Sequence, residues 1–139
     1  MSESGAFGTV GFIGIGNMGW PMAANLHRAG FDLRVHDAVK GRAAKFAAQV
    51  GGAAATDARA AADGVDVVIT ILPTSRQVAE VVTSIADVLR RGALVIDMSS
   101  GAPGVTRTLA EKLAATGVEM IDAPVSGGVA RARTGELAI

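Results

Sequence analysis

The feature that most constrains this chain is a ten-residue run near its start, Val10-Gly11-Phe12-Ile13-Gly14-Ile15-Gly16-Asn17-Met18-Gly19. The apolar run over residues 9–13 reads as a strand. It passes straight into glycines, and a helical pattern follows over residues 18–29, stopped by Gly30. Gly14, Gly16 and Gly19 have the spacing G-x-G-x-x-G. Between a strand and a helix, each glycine has its own task. The first permits a tight turn, the second lets backbone approach a pyrophosphate, and the third lets helix pack closely on strand. The helix N-terminus adds unsatisfied N–H groups that suit an anion. The motif carries this meaning only inside a βαβ unit of about thirty residues. The sequence supplies one, because residues 33–36 read as a second strand that ends at Asp37.

The same rhythm continues along the chain. Helical patterns occupy residues 39–50, 75–89 and 103–116, with a short helical turn at 57–62. Strands are predicted at residues 65–72, 94–98 and 119–122. Residues 65–72 are almost unbroken apolar sequence, as in a strand buried on both faces. Pro103 at a helix start and Gly117 past its end mark the limits of the last helix. Residues 136–139 read as a strand that has just begun. Strands alternating with helices predict an α/β fold, a doubly wound parallel sheet of the dinucleotide-binding type with its first strand central. The expectation is one such domain over residues 1–139, interrupted inside its sixth strand.

Composition narrows the classes. With 139 residues the chain is too short for two ordinary domains. Aromatic residues make up 4%, so the core must be aliphatic. Thirteen basic and thirteen acidic residues give no electrostatic reason to invoke nucleic acid or an anionic membrane. There is no Cys, which excludes disulfides and thiolate metal sites, and two His are too few for a His-rich site, so no metal is expected. The N-terminal stretch lacks the basic segment of a secretory signal, and no apolar run is long enough to span a bilayer. A cytoplasmic protein is the resulting expectation.

Asp37 follows Gly19 by eighteen residues, at the end of the second predicted strand. An acidic residue there accepts from the ribose hydroxyls of NAD, and its charge opposes the 2′-phosphate of NADP. NAD is therefore the expected cofactor. Lys40 and Arg42 lie close enough to keep NADP as the lesser alternative. Asp37 could also cap the next helix.

The longer string over residues 11–26, GFIGIGNMGWPMAANL, resembles the start of the β-hydroxyacid dehydrogenase family (the 3-hydroxyisobutyrate dehydrogenase-like enzymes). Three further segments match in order: Ile71-Leu72-Pro73, the segment DMSSGAP over residues 97–103, and DAPVSGG over residues 122–128. Four motifs spanning nearly the whole chain are specific for the family and weak for the substrate. The resemblance implies cofactor contacts at Gly14, Ile15, Gly16, Asn17, Met18, Gly19, Asp37, Leu72, Pro73 and Ser100. It implies that Ser126, Gly127 and Gly128 hold a small carboxylate substrate, and a hydroxyl beside consecutive glycine N–H groups is chemically suited to that. The implied reaction is hydride transfer between NAD and a small 3-hydroxy acid such as 3-hydroxyisobutyrate. The alternatives are reduction of a related aldehyde acid of the tartronate or succinic semialdehyde type, an imine reductase, or a dinucleotide-binding fragment without catalysis.

One departure qualifies the resemblance. The family's proton-transferring lysine lies well beyond the Ser-Gly-Gly loop, whereas Lys40, Lys45 and Lys112 all precede it. No catalytic residue is therefore expected among these residues. The family lysine is expected beyond Ile139, the family's helical second domain is absent, and the chain alone should be inactive. A homo-oligomer is the expected assembly. His36 reads as a sheet residue, Met18, Met22, Met98 and Met120 as core or cofactor-packing residues, and Arg131 and Arg133 as a solvated loop. Trp20 takes no role.

Overall fold

A computed structural model describes residues 8–99, 103–124, 132 and 135. Its strands are β1 Thr9–Ile13, β2 Asp32–His36, β3 Ala53–Ala54, β4 Val67–Thr70, β5 Leu94–Asp97 and β6 Glu119–Asp122. Its helices are α1 Gly19–Arg28, α2 Arg42–Gln49, α3 Ala58–Ala62, α4 Ser75–Ile85 and α5 Pro103–Ala114. The strands form one sheet in the order β3-β2-β1-β4-β5-β6, and every paired neighbour is parallel. This is the doubly wound order expected from the sequence, with β1 in its interior.

The order explains the layers. From β1 the chain winds outward through β2 to β3, then returns and winds the opposite way from β4 to β6. Right-handed crossovers therefore put α1 and α2 on one face and the later helices on the other. On the first face Phe12, Leu33 and Val35 pack with Ala23 of α1 and Phe46 of α2. On the second face Val68, Val95 and Met120 pack with Val78 and Val82 of α4 and Leu109 of α5. The two clusters are the aliphatic core that the composition requires, with Phe12 and Phe46 as its fully buried aromatics.

Strands β1 and β6 have the expected bounds and β2 begins one residue earlier than expected, while the helices, β4 and β5 are shorter than their sequence patterns. The pattern over residues 39–50 loses its first turn, because Val39 N–H donates to Asp37 Oδ1 and Gly41 takes a left-handed φ of 82° before α2. Only Val67–Thr70 of the apolar run 65–72 pairs as strand. Strand β3 was not anticipated: its two alanines are exposed and show no alternation, and its pairing with β2 is a tertiary fact. The strand expected at 136–139 lies outside the described residues. Among the described residues no helix is long and apolar enough to cross a membrane.

Gly11, in the middle of β1, lies outside the G-x-G-x-x-G motif yet has a packing task. A Cβ there would come closer than 3.0 Å to the Ala61 carbonyl oxygen of α3. Its bare face is what lets α3 sit directly on the central strand. Gly11→Ala should destabilise the domain by about 1–3 kcal/mol, the usual cost of overpacking a tight core. Urea denaturation checks this, and an unchanged midpoint would contradict the contact.

Candidate functional site

The register gathers the strand ends into one line. Ile13 pairs with His36 on one side and Thr70 on the other. Thr70 pairs with Asp97, and Asp97 with Asp122. The loops that start at Gly14, Asp37, Ile71, Met98 and Ala123 therefore leave the same edge of the sheet. The winding direction reverses between β1 and β4, and crevices at such a reversal are where open α/β sheets take ligands.

The glycine loop divides its labour. Gly14 has φ 101°, and its N–H donates to the His36 carbonyl at 2.9 Å. A Cβ on Gly14 would come closer than 3.0 Å to the Ile71 oxygen, and one on Gly19 closer than 3.0 Å to the Gly14 oxygen. The fold itself requires glycine at both. Gly16 differs: it has no left-handed φ, and the nearest atom to an added Cβ is Arg42 Nη1 at 3.9 Å. Helix α1 begins with no side-chain cap and no acidic residue in its first turn. By contrast Asp57 caps α3 through Ala60 N–H, and Thr74 caps α4 through Gln77 N–H. The uncapped end suits an external anion.

Asp37 stands between this loop and the next. Its Oδ2 accepts from Ile15 N–H at 2.9 Å. Its Oδ1 accepts from Val39 N–H at 2.8 Å and from Arg42 Nη1 at 3.2 Å. The side chain is 8% exposed. So Asp37 pins the glycine loop to the end of β2, and it starts the turn into α2 rather than capping that helix, whose cap is Gly41. A cleft of about 770 Å³ opens beside it, between the glycine loop, the outer side of α1 and the start of α2. Trp20 lines this cleft and meets Phe46 edge-on, with ring centroids 5.0 Å apart. Sequence reasoning left Trp20 without a role.

On the other side of β1, a buried polar cluster fixes the loops after β4 and β5. Thr70 Oγ1 donates to Asp97 Oδ1 at 3.0 Å, and Ser99 N–H donates to the same oxygen at 3.1 Å. Leu72 N–H in turn donates to Ser99 Oγ at 2.7 Å. Thr70, Asp97 and Ser99 are all buried. This holds Leu72 against the glycine loop, where its Cδ2 lies 3.1 Å from the position of a Gly14 Cβ, while Pro73 is exposed beside it. Asp97 and Ser99 were missed as positioning residues. The signal was a polar residue ending a buried apolar strand, with a serine two residues on.

The structure thus brings together the glycine loop, Asp37 and Leu72, with Pro73 at the rim. Ser100, Ser126, Gly127, Gly128, Arg131 and Arg133 lie outside the described residues. His36 sits in the sheet, with Nδ1 3.4 Å from the Ala55 carbonyl oxygen. Lys40 and Lys45 line the cleft beside Asp37, whereas Lys112 is in the last turn of α5. Met120 is buried, and Met18, Met22 and Met98 are half-buried.

A parallel sheet that reverses beside an uncapped glycine turn, with a carboxylate ending the next strand, defines a dinucleotide-binding domain. Residues 9–139 match the family described as the NAD binding domain of 6-phosphogluconate dehydrogenase. The chain belongs to this family, as the N-terminal cofactor-binding domain of the β-hydroxyacid dehydrogenases, and its cofactor is a nicotinamide dinucleotide. It is 41% identical over 131 residues to 3-hydroxyisobutyrate dehydrogenase of Pseudomonas aeruginosa, covering 92% of this chain and 44% of that protein. It is equally 41% identical over 131 residues to the NAD-dependent L-serine dehydrogenase of the same organism, again covering 92% of this chain and 44% of the relative. Among solved structures, 3-hydroxyisobutyrate dehydrogenase of Mycobacterium tuberculosis with L-serine superposes with a TM-score of 0.89 at 38% identity, covering 94% of this chain and 44% of the other. The chain therefore spans less than half the length of these relatives.

Asp122, the last residue of β6, ends the polar line. Asp122 is exposed, and partial desolvation, followed by the neighbouring Asp97 charge, raises its carboxyl above the ordinary 3.8. A raised carboxyl favours the protonated fold, so its ionisation costs stability as pH rises through the raised value. Asp122→Asn should therefore raise the melting temperature slightly at pH 7, and the gain should vanish below about pH 3, where Asp122 itself is protonated. Paired thermal melts at the two pH values check this; a variant that melts lower at pH 7 would contradict it.

Proposed function

We propose that this chain is the cofactor-binding part of an NAD-dependent oxidoreductase that moves a hydride between nicotinamide and a small 3-hydroxy acid, such as 3-hydroxyisobutyrate or L-serine. The observation that carries the reading is the freedom at Gly16. Contacts within the fold account for Gly14 and Gly19, but at Gly16 the fold leaves room for a side chain. A glycine that the fold does not need, beside an uncapped helix start, is explained by the close approach of a pyrophosphate.

The other groups take consistent parts. Ile15, Asn17 and Met18 would share the pyrophosphate's surroundings with Gly16. An ionised carboxylate has about four acceptor positions, and the three bonds to Asp37 leave capacity for a ribose hydroxyl. Leu72, Pro73 and Ser100 would flank the cofactor across the reversal. Ser126, Gly127 and Gly128 would hold the substrate carboxylate through a hydroxyl and backbone N–H groups. The named relatives support the substrate class, because 3-hydroxyisobutyrate and L-serine share a carboxylate and a hydroxyl on carbon 3.

A nicotinamide held by the glycine loop would supply the hydride acceptor for the carbon bearing that hydroxyl. The hydroxyl proton must then leave to a base. Lys40 and Lys45 line the cleft beside Asp37 and Lys112 lies on α5, so none of the three is proposed as that base; the family resemblance assigns it to a lysine that follows the Ser-Gly-Gly loop.

Two measurements test this reading. Gly16→Ala should keep or slightly raise thermal stability, since Gly→Ala at a compatible site gains about 0.4–1 kcal/mol. The same variant should weaken NAD binding at least about tenfold, equivalent to about 1.4 kcal/mol. Unaltered NAD affinity in a folded variant would refute the pyrophosphate role. Separately, these 139 residues should bind NAD yet produce no NADH from 3-hydroxyisobutyrate or L-serine, because none of the lysines Lys40, Lys45 and Lys112 is placed to take the hydroxyl proton. Robust turnover would mean that a group within the chain supplies the proton transfer.

A further inference from the structure

Helix α1 has two sides with different surroundings. Its outer side lines the cleft beside Asp37. On its other side Met22, Asn25 and Leu26 border a second cavity, of about 470 Å³, against β1, β4, β5 and β6. Their spacing, i, i+3 and i+4, puts the three on one face of the helix. Among the described residues that line this cavity, Asn25 has the only amide or charged side chain. A polar group in so apolar a wall needs a partner. Asn25 Nδ2 donates to the Ala132 carbonyl oxygen at 2.6 Å, and Arg28 Nη2 donates to Asn25 Oδ1. Only one orientation of the amide satisfies both, because a carbonyl accepts and a guanidinium donates. Ala132 is fully buried, and Asn25 Nδ2 also lies 3.6 Å from where a Gly135 side chain would begin.

The contact joins residues 107 apart in the chain, and its place in the sequence gives it a consequence. Ala132 lies four residues after Gly128, a stretch that reaches at most about 14 Å. Ser126 lies three residues after Ala123, at most about 11 Å, and Ala123 N–H donates to the Asp97 carbonyl oxygen at 2.8 Å. Both flanks of Ser126-Gly127-Gly128 are thus anchored, one to the sheet by backbone and the other to α1 by Asn25. Along α1, Asn25 stands six residues after Gly19, about 9 Å down the axis. One rigid helix therefore carries the pyrophosphate at its start and the anchor further along. Resting on the reading that Ser126, Gly127 and Gly128 hold the substrate carboxylate, we propose that Asn25 is a positioning residue for that loop, through its bond to Ala132. Without the bond the loop must be ordered as substrate binds, and affinity for the carboxylate falls. NAD meets the start of α1 rather than Asn25, so its affinity stays.

The test reads the two ligands separately in the ¹⁵N-labelled chain. NAD is titrated first and followed at the Gly16 amide. Then 3-hydroxyisobutyrate is added to the NAD-saturated chain and followed at the Gly127 and Gly128 amides. Asn25→Ala removes the bond, whereas Asn25→Asp removes only the donor and keeps the shape and the acceptor for Arg28. Both should weaken 3-hydroxyisobutyrate at least about tenfold, equivalent to about 1.4 kcal/mol, and leave NAD within about threefold. Asn25→Gln keeps the donor and should lose less than Asn25→Asp. If Asn25→Ala does not fold, the isosteric Asn25→Asp decides. A 3-hydroxyisobutyrate affinity that Asn25→Asp leaves within about threefold overturns the proposal. So does a loss shared equally by NAD, which would mark Asn25 as holding the fold rather than the loop. A wild-type chain whose Gly16 responds to NAD while Gly127 and Gly128 ignore 3-hydroxyisobutyrate overturns the loop reading, and this proposal with it.

Discussion

Where β1 ends, three stretches of backbone meet with almost no side chain between them. Gly14 lies against the Ile71 carbonyl, and Gly19 lies against the Gly14 carbonyl. A Cβ at Gly19 would push the start of α1 away from the end of β1, and one at Gly14 would push the loop after β4 away from it. Because that start is so close, the first turn of α1 opens directly onto the reversal between β1 and β4. Further along β1, Gly11 does the same for α3 on the opposite face. The central strand is thus clamped closely by helices on both faces, and the cleft takes its floor from that clamp.

Two carboxylates then fix the loops around this floor. Asp37 ties the glycine loop to the end of β2, and Asp97 ties the loop after β4 to the loop after β5 through Thr70 and Ser99. Burying a carboxylate is costly unless donors surround it, and both are met by donors from neighbouring segments. These bonds exist in the protein alone, so the loops are arranged before any cofactor arrives. The energetic benefit is less ordering on binding.

Much of this was legible in the sequence because its signals are local. The strand-to-helix glycine spacing, the buried apolar runs and the helix stops fixed the sheet class and the interior position of β1. The limits of the helices were less legible, since the turn from Asp37 to Gly41 depends on a side-chain bond and a left-handed glycine rather than on periodicity. Strand β3 was not legible, because two exposed alanines become a strand only through pairing with β2. At the site, Asp37 was found by spacing, but its partners Ile15 and Arg42 were not, as both contacts follow from how loops come together. Asp97 and Ser99 act through tertiary hydrogen bonds and passed for parts of a family segment. Gly16 stood in the motif beside Gly14 and Gly19, and only the packing separates a glycine the fold needs from one it does not.

The central claim is that the glycine loop, and Gly16 above all, receives the pyrophosphate of a nicotinamide dinucleotide. Its most direct test is a titration of the ¹⁵N-labelled chain with NAD, followed at each backbone amide. The largest shifts are expected on Gly16, Asn17, Met18 and the turn from Asp37 to Arg42, with smaller ones at Leu72. Shifts concentrated on α4 and α5, or a spectrum that NAD leaves unchanged, would contradict it.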